Sequence, residues 1–513
     1  MNPRFEASSF GTLPAHEIVE RSRHRLFPVD PAMRSAFLAF GTAEENVERL
    51  FVDGALCVTT GQQPGLLTGP LYTVYKALSA VSLAKQLEKE VGRPVVPVFW
   101  VAADDHDFAE ANHCFLPSGS SEVVRVALRE RESAAELTPM YKEPVGDDIA
   151  AVLEQLHTLT RETEFRPKVF EWIQAHYRPE SDLASAFGGA LAELLGRFGL
   201  VVFYPTHVRA KQVMAPKLVA ALEQAAGIDR CLTAHAQELV AQGKPAPISV
   251  GDSATAVLIE SSLGRDRLVI EGDGFRTRRA KEQWSLAALK DVAENEPQRL
   301  SPNVLLRPVV EAAILPTVAY VAGPGELKYL PQAAPIYRAL DVEPQIAVGR
   351  WAGRFIEGRT AKTLDKYDIE VDDLNLPDGR LEARVLHDQM PAEAADAIRR
   401  LSETIKKDYG TLSEAAERVD STLRKPIGAA ERGALRDLAG VEKKIVNQLK
   451  QLNEVTVRQL AAARTSIFPL GKLQERVFNV VPYLVRYGDD FLDGVYAQCQ
   501  DWAGALETTA HEA

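Results

Sequence analysis

Two apolar runs joined by an amphipathic segment constrain the fold of this chain more than any other feature. The runs, residues 55–59 and 95–102, have the length and composition of buried strands. Between them, residues 71–90 place apolar side chains at helical spacing, and Gly92 and Pro94 mark the end of that helix. Because parallel strands need a crossover connection of this kind, the sequence predicts a strand–helix–strand unit in a parallel sheet.

The second predicted strand is followed by a dense group of ionisable residues. They are Asp104, Asp105, His106 and Asp107. Ligands in open parallel sheets bind beyond the carboxyl ends of the strands, and carboxylates beside a histidine make it more basic. The group could exchange protons with an amine, bind a divalent metal ion, or form only a solvated helix cap. We favour acid–base catalysis by Asp105, His106 and Asp107, predict no metal site, and assign the nearby Asn112 and His113 to substrate binding.

The first predicted strand leads into a glycine-rich loop, T-G-Q-Q-P-G-L-L-T-G-P from residue 60. It matches neither the G-x-x-x-x-G-K-[ST] loop of many kinases nor the dinucleotide fingerprint G-x-G-x-x-G. The loop is either a tight connection or a ligand site, and its place at a strand end favours a ligand. Thr68 or Gly69 is expected to cap the following helix, whose free N–H groups would face an anion. The loop residues assigned to substrate binding are Gln62, Gln63, Gly65, Thr68 and Gly69.

Four segments, spread along the whole chain, together resemble one protein family. They are T-G-Q-Q-P-G-L-L-T-G-P-L-Y-T from Thr60, D-D-H-D-F-A-E-A-N-H from Asp104, R-P-V-V-E-A-A-I-L-P-T-V-A-Y-V-A-G-P-G-E-L from Arg307, and F-P-L-G-K-L-Q-E-R-V-F-N from Phe468. The chain resembles the bacillithiol synthases, the cysteine ligases thought to join L-cysteine to glucosaminyl malate in the last step of bacillithiol synthesis. The resemblance implies these two substrates and a homodimer formed through a helical arm. Activating the cysteine carboxylate at neutral pH requires a nucleotide, so the expected cofactor is ATP or ADP with Mg²⁺, and both an acyl-adenylate and an acyl-phosphate route stay open.

Later segments supply further candidate groups. Gly323, Glu326 and Tyr329 follow another predicted strand and are assigned to substrate binding, a structural turn being the alternative. Arg307 is assigned to a carboxylate such as that of malate, because a guanidinium binds two oxygens at once. Near the C-terminus, the two cations that flank a short turn could bind a nucleotide phosphate or merely cap a helix. These predicted cofactor-binding residues are Lys472 and Arg476.

Length and patterning predict an α/β protein of several parts. A chain of 513 residues exceeds the roughly 250–300 residues of a single hydrophobic core. We predict a Rossmann-like, doubly wound parallel sheet in residues 1–385, with inserts at about 120–180 and 245–295. Apolar heptads predict an antiparallel coiled-coil hairpin in residues 386–465, and residues 466–513 form a helical segment that returns to the core.

The hairpin is expected to break at Pro426 and Gly428. Each arm of about 26 residues would extend roughly 39 Å at 1.5 Å per residue. An arm of that length usually packs on a partner, although it could instead fold onto its own body.

Composition excludes several classes of partner and location. The net charge of −12, with no cluster of basic and aromatic residues, argues against nucleic acid. No run approaches the roughly 18 apolar residues of a membrane span, and the N-terminus lacks the apolar core of a signal peptide. Four isolated cysteines fit the reducing cytoplasm.

The function predicted from these observations is an amide-forming ligase. Two alternatives remain open: a nucleotidyltransferase-like enzyme that acts on another small metabolite, and a non-catalytic, nucleotide-sensing dimeric scaffold.

Overall fold

The computed structural model describes residues 3–8, 14–25, 27–118, 122–132, 135–377, 379–387 and 390–510. The strands in these ranges are β1 (Arg4–Ser8), β2 (Phe37–Leu38), β3 (Leu56–Gln62), β4 (Val95–Val101), β5 (His113–Pro117), β6 (Val123–Ala127), β7 (Val201–Phe203), β8 (Ala254–Ser261), β9 (Gly264–Glu271), β10 (Gly274–Thr277), β11 (Gln283–Trp284), β12 (Leu300–Pro302), β13 (Thr317–Ala322), β14 (Ile346–Gly349) and β15 (Ala352–Ile356).

The helices of the same ranges are α1 (Ala15–His24), α2 (Ala43–Leu50), α3 (Leu71–Val91), α4 (Phe108–Ala111), α5 (Ile149–Leu159), α6 (Arg166–His176), α7 (Leu183–Gly196), α8 (Val208–Glu223), α9 (Ala225–Ala241), α10 (Leu286–Asn295), α11 (Arg307–Ile314), α12 (Pro324–Tyr329), α13 (Ala334–Ala339), α14 (Gly358–Tyr367), α15 (Arg380–His387), α16 (Ala392–Glu417), α17 (Arg424–Leu452), α18 (Glu454–Ile467), α19 (Val481–Tyr487) and α20 (Asp489–Ala510). None of these helices is long and apolar enough to cross a membrane.

A six-stranded sheet forms the centre of the larger of two compact units. Its strand order is β14-β13-β3-β4-β7-β2, and every neighbouring pair is parallel except β2 with β7. Taken in chain order, the five parallel strands follow the 3-2-1-4-5 arrangement of a doubly wound nucleotide-binding sheet. The predicted Rossmann-like fold is therefore confirmed, and the winding direction reverses between β3 and β13.

Continuous apolar runs explain why β3 and β4 occupy the middle of this sheet. All seven residues of β4 are buried, as expected for a parallel strand covered on both faces. β3 extends to Gln62, beyond the predicted end at residue 59. Gly61 permits this extension, because a Cβ atom there would lie 2.8 Å from the carbonyl oxygen of Trp100 on β4.

The start of α3 differs from its prediction. Its N-cap is Pro70, with no side-chain cap hydrogen bond, so the predicted cap at Thr68 or Gly69 is wrong. The N–H of Leu71 donates to the carbonyl of Phe478, which makes that group unavailable to an anion.

The two inserts have different structures. The region predicted at 120–180 contains β6, which pairs with β5, and the helices α5 and α6. The region predicted at 245–295 contributes four strands of a five-stranded antiparallel sheet, in the order β11-β10-β9-β8-β12. The strand β12, which lies beyond the predicted limit, completes that sheet along β8.

The smaller unit extends mainly over Phe355–Leu473, so it begins before the predicted boundary at residue 386. The reason is that α14 and α15 share an apolar cluster with α18, which includes Leu364, Leu381 and Leu460. The helices α16 and α17 pack against each other as the predicted hairpin.

The connection between the two arms lies earlier than predicted. A 3-10 turn at Ser421–Leu423 joins them, and α17 already begins at Arg424. The predicted break at Pro426 and Gly428 is thus wrong. Proline is tolerated in the first turn of a helix because its missing N–H has no intrahelical partner there.

Candidate active site

A cavity of about 550 Å³ opens at the carboxyl ends of the parallel strands. Its floor consists of residues that follow successive strands: Gln63 after β3, His106 after β4, Gly323 after β13 and Arg350 after β14. The facing wall includes residues of β8 and β9 from the antiparallel sheet. This is the position at which doubly wound sheets bind ligands, where the winding direction reverses.

The structure brings most of the predicted site residues to this cavity. Those that line it are Gln62, Gln63, Asp105, His106, Arg307, Gly323, Glu326, Tyr329 and Arg476. Those that do not are Gly65, Thr68, Gly69, Asp107, Asn112, His113 and Lys472.

His106 is the cavity residue best suited to accept a proton. Its Nδ1 atom is buried and has no hydrogen-bond partner among the residues that the structure describes. Burial lowers the pKa of His106, and the positive charge of Arg265 lowers it further, whereas Asp105 and Asp107 act in the opposite direction. The two carboxylates thus act in the predicted direction, but burial and Arg265 outweigh them, so the expectation of a more basic His106 is wrong and its imidazole is neutral at pH 7.

Asp105 fixes the turn that presents His106. Its Oδ1 accepts the backbone N–H groups of His106 at 2.6 Å and Asp107 at 3.0 Å, and its Oδ2 accepts from Nε2 of Gln63 at 2.5 Å. Asp107 itself caps α4 by accepting the N–H of Glu110 at 3.1 Å. The geometry gives Asp105 a positioning role and places Asp107 in a helix cap.

The second half of the glycine-rich loop is buried in the protein instead of facing the cavity. The N–H of Thr68 donates to the hydroxyl of Tyr177 at 2.9 Å, and that hydroxyl donates to the carbonyl of Gly65. Nδ2 of Asn479 donates to the carbonyl of Gly69 at 2.7 Å. These bonds, with positive φ angles at Thr68 and Gly69, describe a tight connection.

Asn112 and His113 lie in a separate network. Nδ2 of the buried Asn112 donates to the carbonyl of Arg129 at 2.8 Å, and its Oδ1 lies 3.1 Å from Nδ1 of His113. Both residues thereby connect α4 and β5 to the segment that follows β6.

A buried ion pair that sequence reasoning missed lies directly at the winding reversal. Lys76 of α3 has a side chain only 2% exposed, and its Nζ donates to Oε2 of Glu326 at 2.6 Å and to the carbonyl of Gly61 at 2.5 Å. Glu326 also accepts the hydroxyl of Tyr320 at 2.5 Å and the N–H of Gly323 at 2.7 Å. Lys76 thus ties β3 to the start of α12.

The charges of this pair are retained because each supports the other. Burial alone would raise the pKa of Glu326, but Lys76, Tyr320 and Gly323 together bring it below the ordinary value. Glu326 is therefore an ionised anchor with partners on both oxygens. The one sequence signal for Lys76 is a lysine that interrupts the otherwise apolar stretch of α3.

Arg307 is similarly engaged. Its Nη1 donates to Oε2 of the fully buried Glu311 at 2.7 Å, and Oε1 of Glu311 accepts from Oγ1 of Thr59 at 2.5 Å. The positive charge of Arg307 is balanced by this carboxylate. Its Nη2 lacks a partner in the described part of the chain and can still donate to a ligand oxygen.

Two more buried charges shape the floor. Nζ of Lys211, on α8, donates to Oδ1 of Asp104 at 2.6 Å and to the carbonyl of Leu300 at 2.7 Å. Arg350 donates from Nη1 to Glu475 at 2.9 Å. Sequence reasoning missed Lys211 and Arg350 as well, because their partners are more than one hundred positions away in the chain.

Only one of the two predicted nucleotide-binding residues, Arg476, lines the cavity. Arg476 is exposed at the cavity and has no ion-pair partner within the described ranges, so it can bind a phosphate oxygen. Lys472 is exposed and does not line the cavity. Among the described residues, no group of three or more His, Cys, Asp or Glu side chains could hold a metal ion.

Comparison with known proteins decides the family. The family model described as "Bacillithiol biosynthesis BshC, N-terminal Rossmann-like domain" matches residues 16–351, and the model of the C-terminal coiled-coil domain matches residues 354–505. The chain belongs to the BshC family. The resemblance found in the four sequence segments is thereby confirmed, together with the combination of a Rossmann-like domain and a coiled-coil domain.

Several BshC relatives align over most of the chain. The "Putative cysteine ligase BshC" of Heliobacterium modesticaldum is 31% identical over 90% of this chain and 84% of that protein. The protein of the same name from Solibacter usitatus is 30% identical over 92% and 89%. A solved structure titled as a putative arginyl-tRNA synthetase from Campylobacter jejuni covers 88% of this chain and 92% of its own, with 10% identity and a TM-score of 0.20.

Proposed function

We propose that this BshC protein is a ligase that forms an amide bond between the carboxylate of L-cysteine and the amine of glucosaminyl malate, the last step of bacillithiol synthesis. The observation that carries the proposal is His106: a half-buried, neutral imidazole at the ligand-binding edge of a Rossmann-like sheet, whose buried Nδ1 has no partner among the described residues. The relatives carry the name "Putative cysteine ligase BshC", and that name supports the reaction class.

The residues of the cavity can accept the proton that the attacking amine loses, and they can hold the proton acceptor in place. The amine nitrogen attacks the activated carbonyl carbon of cysteine, the new C–N bond forms, and the bond from that carbon to the leaving group breaks. The amine must lose a proton in the process, and neutral His106 accepts it. Asp105 holds His106 through its backbone N–H, and Gln63 holds Asp105.

A carboxylate must be activated before an amine can displace its oxygen, and we propose ATP with Mg²⁺ as the activating reagent. ATP would convert the carboxylate oxygen into a leaving group. Arg476 is the predicted nucleotide contact that lines the cavity, and a guanidinium binds phosphate oxygens through charge-assisted hydrogen bonds. Magnesium is commonly coordinated by the phosphates of such a nucleotide and by only a few protein groups.

The proposal is tested by incubating the purified protein with cysteine and glucosaminyl malate, with and without ATP and Mg²⁺, and analysing the products by mass spectrometry. We expect the cysteinyl amide only when ATP is present, and AMP or ADP formed with it will identify the activation step. Absence of the amide with every nucleotide would contradict the proposed ligase and favour a non-catalytic scaffold.

The acidic limb of the pH profile is expected to report on His106. Protonated His106 cannot accept a proton, so kcat/KM should fall as the pH drops through a pKa below the ordinary value of 6.5. Replacing Arg265 by glutamine removes a positive neighbour and should move this limb to higher pH. The matched control is Arg276→Gln on β10, which removes an arginine outside the cavity and should leave the limb in place. An unmoved limb in Arg265→Gln would contradict the assignment.

We also propose that the hairpin mediates a homodimer. Large apolar side chains are exposed along both arms, among them Leu401 (52%) and Leu412 (51%) on α16 and Val441 (51%) on α17. Exposed apolar rows on a long hairpin commonly mark an interface. Burying each leucine in a partner would contribute about 1.5–3 kcal/mol.

Sedimentation analysis can test this dimer. The double variant Leu401→Glu/Leu412→Glu should be monomeric where the wild type is dimeric, because two carboxylates would have to be buried at the interface. Thr404→Glu adds one carboxylate at an exposed polar position of α16 and should remain dimeric. A double variant with the mass of the dimer, or a monomeric wild type, would refute the proposal.

A further inference from the structure

The wall of the cavity formed by β9 carries two arginines that form no ion pair with any carboxylate among the described residues. Arg265 and Arg267 are two positions apart on one strand, so their side chains leave the same face of the sheet, and both line the cavity. They were not among the residues predicted from sequence. Their environment differs from that of Lys76 and Arg307, each of which pairs with a glutamate.

Within the described ranges, the partners that hold Arg265 in place are neutral groups. Its Nε donates to Oγ of Ser301 at 3.0 Å, and its Nη2 donates to the carbonyl of Pro302 at 2.9 Å. Glu260 is its cross-strand neighbour, but that carboxylate accepts from Lys142 and from the hydroxyl of Tyr141. The guanidinium of Arg265 is therefore oriented by hydrogen bonds and keeps its charge available.

Arg267 has neither an ion pair nor a side-chain hydrogen bond within the part of the chain that the structure describes. Burial lowers its pKa, and the next causes are the cations Arg278 and Arg265. The adjacent Asp266 points to the other face of the strand, where its carboxylate accepts the backbone N–H groups of Arg267, Arg279 and Ala280 at 2.8 Å each. Half-buried cations that repel one another are stabilised by an anion that binds between them.

The remaining acidic residue on this side of the cavity, Asp229, is not the anion that neutralises the two arginines. Asp229 of α9 accepts the backbone N–H groups of Gly251 and Ser253, and the structure shows no ion pair between it and either β9 arginine among the described residues. The wall thus presents two adjacent positive groups to the cavity. Arg265 also lies close enough to His106 to lower its pKa, so the wall and the proton acceptor face the same space.

We propose that Arg265 and Arg267 form a dicarboxylate-binding wall that holds the malyl part of the amine substrate and sets specificity for an acidic acceptor. The inference rests on the proposed function for the identity of that substrate. Two residues along a strand span about 6.6 Å, a spacing that lets each guanidinium take one carboxylate of a small dicarboxylate. Arg307, whose charge Glu311 balances, is left with a single donor for a neutral oxygen.

Binding of L-malate to the full-length protein, measured by titration calorimetry, tests the wall without requiring turnover. Arg267→Gln should weaken malate binding by about 10- to 100-fold, the effect of losing one bidentate charge-assisted contact, and Arg267→Lys should be intermediate. The matched control is Arg276→Gln, since Arg276 pairs with Glu271 on the same sheet but outside the cavity, and it should bind malate as the wild type does. Equal malate binding by the wild type and Arg267→Gln, or no binding by the wild type, overturns the inference.

The same titration is repeated with inorganic phosphate and with ADP, because arginines also bind phosphate. Their affinities should not change in Arg267→Gln, and a selective loss of ADP or phosphate binding there would overturn the dicarboxylate assignment. Turnover then separates the two proposals. An Arg267→Gln enzyme that forms product with the wild-type KM for glucosaminyl malate overturns the wall and leaves the ligase standing. Malate binding that depends on Arg267, in a protein that never forms the amide, supports the wall and overturns the ligase.

Discussion

Replacing His106 by alanine is expected to lower kcat for amide formation by about 10²- to 10⁴-fold, the usual contribution of a general base. The amine nitrogen would then have to lose its proton to water. KM for glucosaminyl malate should change little, because the proposed binding groups on β9 remain. Steady-state kinetics at pH 7, followed by mass spectrometry of the product, measure both parameters.

A surface histidine provides the control for this result. His24 has a side chain 77% exposed on α1, and His24→Ala should retain wild-type kinetics. Thermal unfolding must show that His106→Ala is folded. If that folded variant kept kcat within threefold of the wild type, His106 would not be the proton acceptor.

Replacing Lys76 by methionine is expected to destabilise the larger unit by about 3–5 kcal/mol, the cost of leaving one partner of a buried ion pair without the other. Glu326 would lose its only cationic hydrogen-bond donor among the described contacts, and its partial burial would then raise the pKa of its carboxyl. The free energy of unfolding of the β3–β13 region can be followed by hydrogen exchange of its amides in increasing urea.

Two variants make this prediction specific. Lys89→Met removes an exposed lysine from the same helix and should change the free energy of unfolding by no more than about 0.5 kcal/mol. The double variant Lys76→Met/Glu326→Gln should recover part of the loss, since no uncompensated charge stays buried. A Lys76→Met protein as stable as Lys89→Met would show that the pair contributes nothing to the fold.

The centre of the fold could be predicted because its signal is local. The strand–helix–strand unit is written in two continuous apolar runs and one amphipathic segment, and the structure places β3, α3 and β4 within a few residues of those limits. The predicted hairpin likewise follows from heptads that lie within single helices.

The electrostatics of the site could not be predicted, because its pairs are distant in sequence. Lys76 and Glu326 are 250 positions apart, and Lys211 and Asp104 are 107 apart. The sequence on either side of each lysine does not indicate which residue is its ion-pair partner. The predicted direction of the His106 pKa was wrong for the same reason: the sequence showed its carboxylate neighbours but neither its burial nor the arginine that β9 brings to it.

The loop after β3 shows how a motif divides between two roles. Its first residues, Gln62 and Gln63, reach the cavity, whereas Thr68 and Gly69 are bonded to Tyr177 and Asn479 from distant helices and turns. A run of glycines indicates only that the backbone turns tightly. Which part of the run meets a ligand is decided by the side chains that pack over it.

A crystal structure of the protein soaked with glucosaminyl malate tests the central claim most directly, because it locates the substrate. We expect density in the cavity at the carboxyl ends of β3, β4 and β13, with the malyl carboxylates on Arg265 and Arg267 and the amine within reach of His106. Density for the ligand at any other surface, with this cavity free of it, would contradict the assignment of the active site.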